Sequence, residues 1–233
     1  INNCSIIMGP WTHGAWSRSD GDRLGDFYFG SKTSEFFEKE IERPFFNYYL
    51  KGVGEKPDFE ALIFDTGLNK WEKFNTWEPK NVLTKYLYLS NGGKLLFNNN
   101  NIINGYKEYC VDPKSPVPYY PEFHDSKIMY KKDFMIADQR FAYTRPDVIS
   151  FTTEPLGENI TIAGPITVDL FVSTTGTDGD WVVKLIDVFP DNAETETNEE
   201  IEMGGYQRLI RYEMLRGKFR NNLSKPEPFT PNK

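Results

Sequence analysis

Apolar positions follow a helical spacing between Thr33 and Leu50 and a strand spacing from Phe59 onward. Ile6-Ile7-Met8 is a short apolar run halted by Gly9-Pro10, which predicts a buried strand over residues 1–8 and then a loop. That loop carries Trp11, His13 and Trp16. Between Thr33 and Leu50, the residues Phe36, Phe37, Ile41, Phe45, Tyr48 and Tyr49 fall three and four positions apart, predicting a helix with a heavily buried face. Thr33 or Ser34 is placed to cap it, and Glu35 and Glu38 suit its positive end. Pro44 should bend or split the helix, and Gly52 should stop it. A strand, a functional loop and a packed helix in this order is how an α/β domain ends.

From Phe59 the period shortens to two. Glu60 to Phe64 predicts a strand before a turn at Thr66-Gly67. Tyr86 to Leu89 and Leu95 to Phe97, parted by Asn91-Gly92-Gly93, predict a hairpin. Ile160 and Ile162 alternate with polar neighbours, and Ile166, Val168, Leu170 and Val172 share one face against Thr167, Asp169, Phe171 and Ser173. Trp181 to Phe189 reads as one long strand and Tyr206 to Phe219 as another. Many strands with turn signals between them argue for a sandwich, of which a jelly roll is one form. The asparagine-rich stretch 98–104 and the acidic stretch 192–202 read as exposed loops.

Composition narrows the classes. The chain has 233 residues, 39% hydrophobic and 15% aromatic, enough to bury a real core. Net charge is −7 with no clustered lysine or arginine, which argues against a nucleic-acid partner. No apolar run is long enough to span a bilayer. Cys4 and Cys110 lack metal-type spacing and read as unpaired residues filling space. The chain opens inside a strand-like stretch without an initiator methionine and ends on a polar, proline-rich tail, Pro226 to Lys233, so it reads as a fragment.

The segment Met8-Gly9-Pro10-Trp11-Thr12-His13-Gly14 carries the chemistry. A histidine on a loop after a buried strand is where an α/β-hydrolase places its general base, last in the order serine, acid, histidine. An imidazole can take a serine proton and return it to the leaving group. From composition alone, a loop histidine without a catalytic role is the better account of the segment.

The segment Gly9 to Gly14 resembles the histidine motif of the cocaine esterase/NonD hydrolases, relatives of the X-Pro dipeptidyl-peptidases. Arg43 to Leu50 looks like the helix after the motif in α-amino acid ester hydrolases, and Phe64 to Trp71 like the entry to their C-terminal domain. Arg145 to Val148, Phe151 to Leu156 and Ser173 to Pro190 continue the likeness, in order and at similar spacing. Glutaryl-7-aminocephalosporanate acylases are similar in texture.

The resemblance implies a mostly-β fold. Residues 1–55 would be the last strand, histidine loop and helix of an α/β-hydrolase domain, and residues 56–233 a jelly-roll-like β-sandwich truncated at its C-terminus. It implies a serine hydrolase of esterase, acylase or dipeptidyl-peptidase type that forms an acyl-enzyme, with a tyrosine helping to hold the oxyanion. Only His13 carries over as a catalytic residue. The chain contains no Gly-x-Ser-x-Gly, so the serine and aspartate of the triad are expected upstream of Ile1. No cofactor or metal is implied.

The expected partners are a small-molecule ester, amide or short peptide, and a second copy or a bound upstream piece covering the aromatic helix. The resemblance leans towards a periplasmic or secreted protein. His124 lacks a nearby second histidine and reads as a loop residue, and Asp178, Asp180 and Asp187 read as turn and strand structure rather than calcium ligands. Trp71, Trp77 and Tyr86 read as packing. The alternative to a hydrolase is a jelly-roll module binding carbohydrate or another ligand, though such a module has no need of the strand, histidine loop and helix.

Overall fold

The computed structural model describes residues 4–121, 134–194 and 201–233; the predictions for His124 and for most of the acidic loop lie outside these. In chain order, β1 (Ile6–Met8) runs into the loop of Trp11 and His13, and a hairpin follows, formed by β2 (Arg23–Leu24) and β3 (Phe27–Tyr28). The helix α1 occupies residues 33–51. Then β4 (Ala61–Asp65) returns parallel beside β1, pairing Ile6 with Ala61, Ile7 with Leu62 and Met8 with Ile63. Parallel neighbours need such a crossover, and α1 supplies it. Across the turn at Thr66-Gly67, β5 (Lys70–Phe74) adds antiparallel to β4, giving the sheet order β1-β4-β5.

This sheet runs across residues 55 and 56: β4 and β5 belong with β1. A period of two marks a strand without saying which sheet it joins. Central in the sheet, β4 buries Ala61, Leu62 and Phe64. The prediction of a buried β1 differs from the structure, where Ile6 is 39% and Met8 56% exposed. Among the described residues β1 has one neighbouring strand.

Along α1 the hydrogen bonding alternates between α-helical turns, Thr33–Phe36 and Arg43–Phe46, and wider π turns, Phe37–Glu42 and Asn47–Lys51. Pro44 has no amide hydrogen to return to the preceding turn, and a widened turn directly precedes the α turn that holds it. The helix therefore continues through the proline. Gly52 ends it in the left-handed region at φ 65°, with its N–H donated to Tyr48 and that of Val53 to Asn47. The periodic face is less covered than its pattern suggests. Ile41 is buried, whereas Phe36 is exposed and Phe37, Phe45, Tyr48 and Tyr49 are half-buried.

Four more strands follow among the described residues. Strands β6 (Tyr88–Ser90) and β7 (Lys94–Leu96) form the predicted hairpin around Asn91-Gly92-Gly93. After one helical turn, α2 (Arg140–Tyr143), come the two long strands β8 (Asp180–Val188) and β9 (Gln207–Arg216). They pair antiparallel, with a register shift between Leu185 and Ile186. β9 ends at Arg216 rather than Phe219, because Gly217–Phe219 turns into a 3-10 segment; a Cβ at Gly217 would meet the Trp181 and Phe229 rings. The C-terminal tail is pinned, with the Phe229 N–H on Thr177 O at 2.8 Å and the Asn232 N–H on Thr174 O at 2.8 Å.

The alternating stretch 160–173 forms no ladder among the described residues, and Ile160, Ile162, Ile166 and Val168 stay exposed. Alternation defines two faces but supplies no partner. Cys4 and Cys110 are free thiols, both exposed rather than filling space. No helix among the described residues is long and apolar enough to cross a membrane.

Candidate active site around His13

The loop after β1 is short and tied at several points. Pro10 lets the Trp11 N–H fold back on Gly9 O at 2.9 Å, and the Ala15 N–H closes a turn on Thr12 O at 3.0 Å. His13 lies between these ties, followed by Gly14 in the left-handed region at φ 76°. The Trp11 indole N–H donates to Thr33 Oγ1 at 2.8 Å, and that hydroxyl donates in turn to Gly21 O at 2.6 Å. Thr33 or Ser34 was expected to cap α1, but neither does: the Thr33 hydroxyl cross-links the loop and the Ser34 hydroxyl reaches Ala15 O. The helix start is satisfied from outside, with the Thr33 N–H on Gly21 O (3.3 Å) and the Ser34 N–H on Asp20 O (3.1 Å). This close approach is why residue 21 is glycine: its φ is 70°, and a Cβ would overlap the Ser34 hydroxyl.

Aromatic rings support the loop from below. Trp11 meets Phe37 at 5.2 Å and Trp71 at 5.7 Å, and Trp71 stacks on Phe36 and meets Phe64, both at 5.4 Å. Lys32 bridges Asp20 (2.9 Å) and Glu35 (3.0 Å). Those hydrogen bonds, the Asp20 one first, raise the Lys32 ammonium well above the usual lysine range.

On this base the His13 ring is exposed, edge-on to Trp16 at 6.2 Å and 85°. It lines a cavity of about 450 Å³ together with Arg23, Leu24 and Gly25 of the β2–β3 hairpin. Neither ring nitrogen is hydrogen-bonded among the described residues, so one can face an acid and the other a nucleophile.

The hairpin is held by contacts of Asp26 and Phe27 that the sequence reading missed. Tyr206, only 1% exposed, donates its hydroxyl to Asp26 Oδ2 at 2.8 Å, with Ile136 O at 3.2 Å as a second acceptor. Burial, and then the Asp26 carboxylate, push the Tyr206 phenol far above its ordinary value. Phe27 meets Tyr206 at 5.4 Å and Phe189 at 6.0 Å, and the Arg208 guanidinium lies over both Phe27 (5.0 Å) and Phe189 (5.2 Å). Gly21, Gly25 and Gly30 around Asp-Phe-Tyr-Phe were the available hairpin signal.

The remaining candidates behave as structure. Asp178 pairs with Lys218 at 2.9 Å, Asp180 with Arg216 at 3.5 Å and Asp187 with Arg208 at 2.9 Å. Trp71 belongs to the platform beneath Trp11, while Trp77 packs on Phe74 and Tyr86 on Tyr88.

By fold the chain is a mostly-β protein with few helices. Residues 48–233 match the family described as the X-Pro dipeptidyl-peptidase C-terminal non-catalytic domain, and the chain belongs to that family. It is similar to the cocaine esterase of Rhodococcus sp. (strain MB1 Bresler), 27% identical over 203 residues, 80% of this chain and 33% of that protein. Among solved structures it resembles an aminopeptidase from the marine sediment archaeon Thaumarchaeota archaeon, with TM-score 0.85 and 33% identity over 99% of this chain and 37% of that one. It also resembles a selenomethionine-labelled α-amino acid ester hydrolase, with TM-score 0.83 and 36% identity over 98% of this chain and 38% of that one. The chain thus corresponds to the C-terminal part of the cocaine esterase/NonD family and spans about a third of the length of the cocaine esterase it matches.

Proposed function

We propose that this chain is the C-terminal portion of a serine hydrolase of esterase, acylase or dipeptidyl-peptidase type, in which His13 is the general base. The observation that carries the reading is the exposed His13 ring, held on a cross-linked loop at the end of a parallel strand and facing a cavity. Its relatives being esterases and an aminopeptidase supports it. In this reading residues 1–55 end the hydrolase domain and residues 56–233 form a jelly-roll β-sandwich, with β4 and β5 as the seam pairing back to β1.

His13 takes the proton of a serine hydroxyl as its oxygen attacks the carbonyl carbon of an ester, amide or short peptide. The imidazolium then gives that proton to the departing alcohol or amine as the acyl-enzyme forms. Water attacks the acyl-enzyme with the same histidine as base, releasing the acid and restoring the serine. An aspartate on the second ring nitrogen would fix the tautomer. Both the serine and the aspartate are assigned to chain upstream of Ile1.

A fluorophosphonate label tests the reading. The full-length protein should take up one equivalent on a serine outside residues 1–233, and the 233-residue chain alone should take up none. An adduct on a serine within the chain would overturn it.

A further inference from the structure

The wall of the His13 cavity is fastened to the domain classed as non-catalytic. Arg23, Leu24 and Gly25 line the cavity and belong to a hairpin whose strands are two residues each, β2 and β3. Two-stranded ribbons that short have little stability of their own. Gly25 at φ 51° and Asp26 make its two-residue turn, with Leu24 paired to Phe27. Gly25 of this turn lines the cavity, and the adjacent Asp26 accepts the Tyr206 hydroxyl.

The donor is the rigid partner. The Tyr206 carbonyl accepts the Phe189 N–H at 2.9 Å, and its own N–H donates to Met203 O at 3.1 Å. The start of β9 is further clamped by the Gln139 N–H on Gln207 O at 2.9 Å. Arg208, paired to Asp187, covers Phe27 from the same strand. A weak turn carrying pocket residues is therefore hydrogen-bonded to a nearly inaccessible phenol of the β8–β9 hairpin.

We infer that Tyr206 is a positioning residue: through Asp26 it sets the β2–β3 turn as one wall of the His13 pocket, so the β-rich domain governs which acyl or leaving groups fit beside the base. This rests on the hydrolase reading for its substrate consequence, while the fastening itself does not.

The test uses the full-length protein and the variants Tyr206→Phe, Asp26→Ala and Asp26→Asn, with Phe229→Leu as a control far from the turn. Hydrogen exchange of amides 22–29 should quicken about five- to tenfold in Tyr206→Phe and Asp26→Ala, the equivalent of one hydrogen bond. It should stay near wild type in Asp26→Asn, which keeps an acceptor. With a bulky ester, KM should rise about three- to tenfold in the first two variants, with kcat within about twofold. The double variant Tyr206→Phe/Asp26→Ala should be no worse than the stronger single variant.

Unchanged exchange at 22–29 overturns the inference, as does quickened exchange with an unmoved KM. Additive losses, or the same KM rise in Phe229→Leu, overturn it as well. A protein that takes no fluorophosphonate and cleaves no ester removes the hydrolase reading instead, and the exchange measurement still decides the fastening.

Discussion

Around Trp11, aromatic rings from the loop, α1, β4 and β5 close on one another at 5.2–5.7 Å, and indole, hydroxyl and carbonyl join in a chain from Trp11 through Thr33 to Gly21. In residues 160–173, branched apolar residues alternate as regularly, yet Ile160 and Ile162 are 50% and 56% exposed. The segment before it is tied by side chains, Arg145 holding Asp147 at 2.7 Å and Ser115 O at 2.9 Å. The first region has its partner close in sequence, because β4 and β5 follow α1 directly and bring Phe64 and Trp71 back under the loop. The second has no strand alongside among the described residues. Regular alternation becomes burial only where a partner arrives.

Four substitutions press on this contrast. Trp71→Ala removes the ring that Trp11, Phe36 and Phe64 share, and should cost about 3 kcal/mol in a urea titration. Thr33→Val keeps the shape and deletes the hydroxyl, leaving the Trp11 indole N–H without its acceptor. It should cost about 1–3 kcal/mol and quicken exchange in residues 11–21. Ile162→Thr in the exposed stretch should move stability by no more than about 0.5 kcal/mol. A loss comparable to that of Trp71→Ala would show that the stretch is buried in solution.

The last and smallest effect is a pH dependence. The hydrogen bond from Arg145 holds the Asp147 carboxyl below its ordinary value of 3.8. A group with a depressed folded pKa stabilises the fold above its unfolded value and loses that contribution as the pH falls through the folded one. Stability measured from about pH 5 to pH 2 should therefore fall less steeply in Asp147→Asn than in wild type. Parallel curves would contradict the tie.

Much of this was legible from residues alone. The strand at Ile6–Met8, the helix after Thr33, its glycine stop and the β6–β7 and β8–β9 strands follow from period and turn residues, which act locally. The pairing of β4 and β5 with β1 was not legible, because alternation is indifferent to sheet. Nor was the Tyr206–Asp26 bond, which joins positions 180 residues apart. His13 was singled out by its neighbours Gly9 to Gly14, and the structure adds what they do. Trp11 anchors the loop to α1, Gly14 turns it, and the ring is left facing a cavity.

The central claim is that His13 is the base of a serine hydrolase, and turnover of His13→Ala in the full-length protein measures it most directly. With an activated ester, kcat should drop by about three orders of magnitude or more while the melting temperature stays within a degree or two, about what an exposed side chain is worth. Near-normal turnover in a folded variant would mean that His13 is not the base.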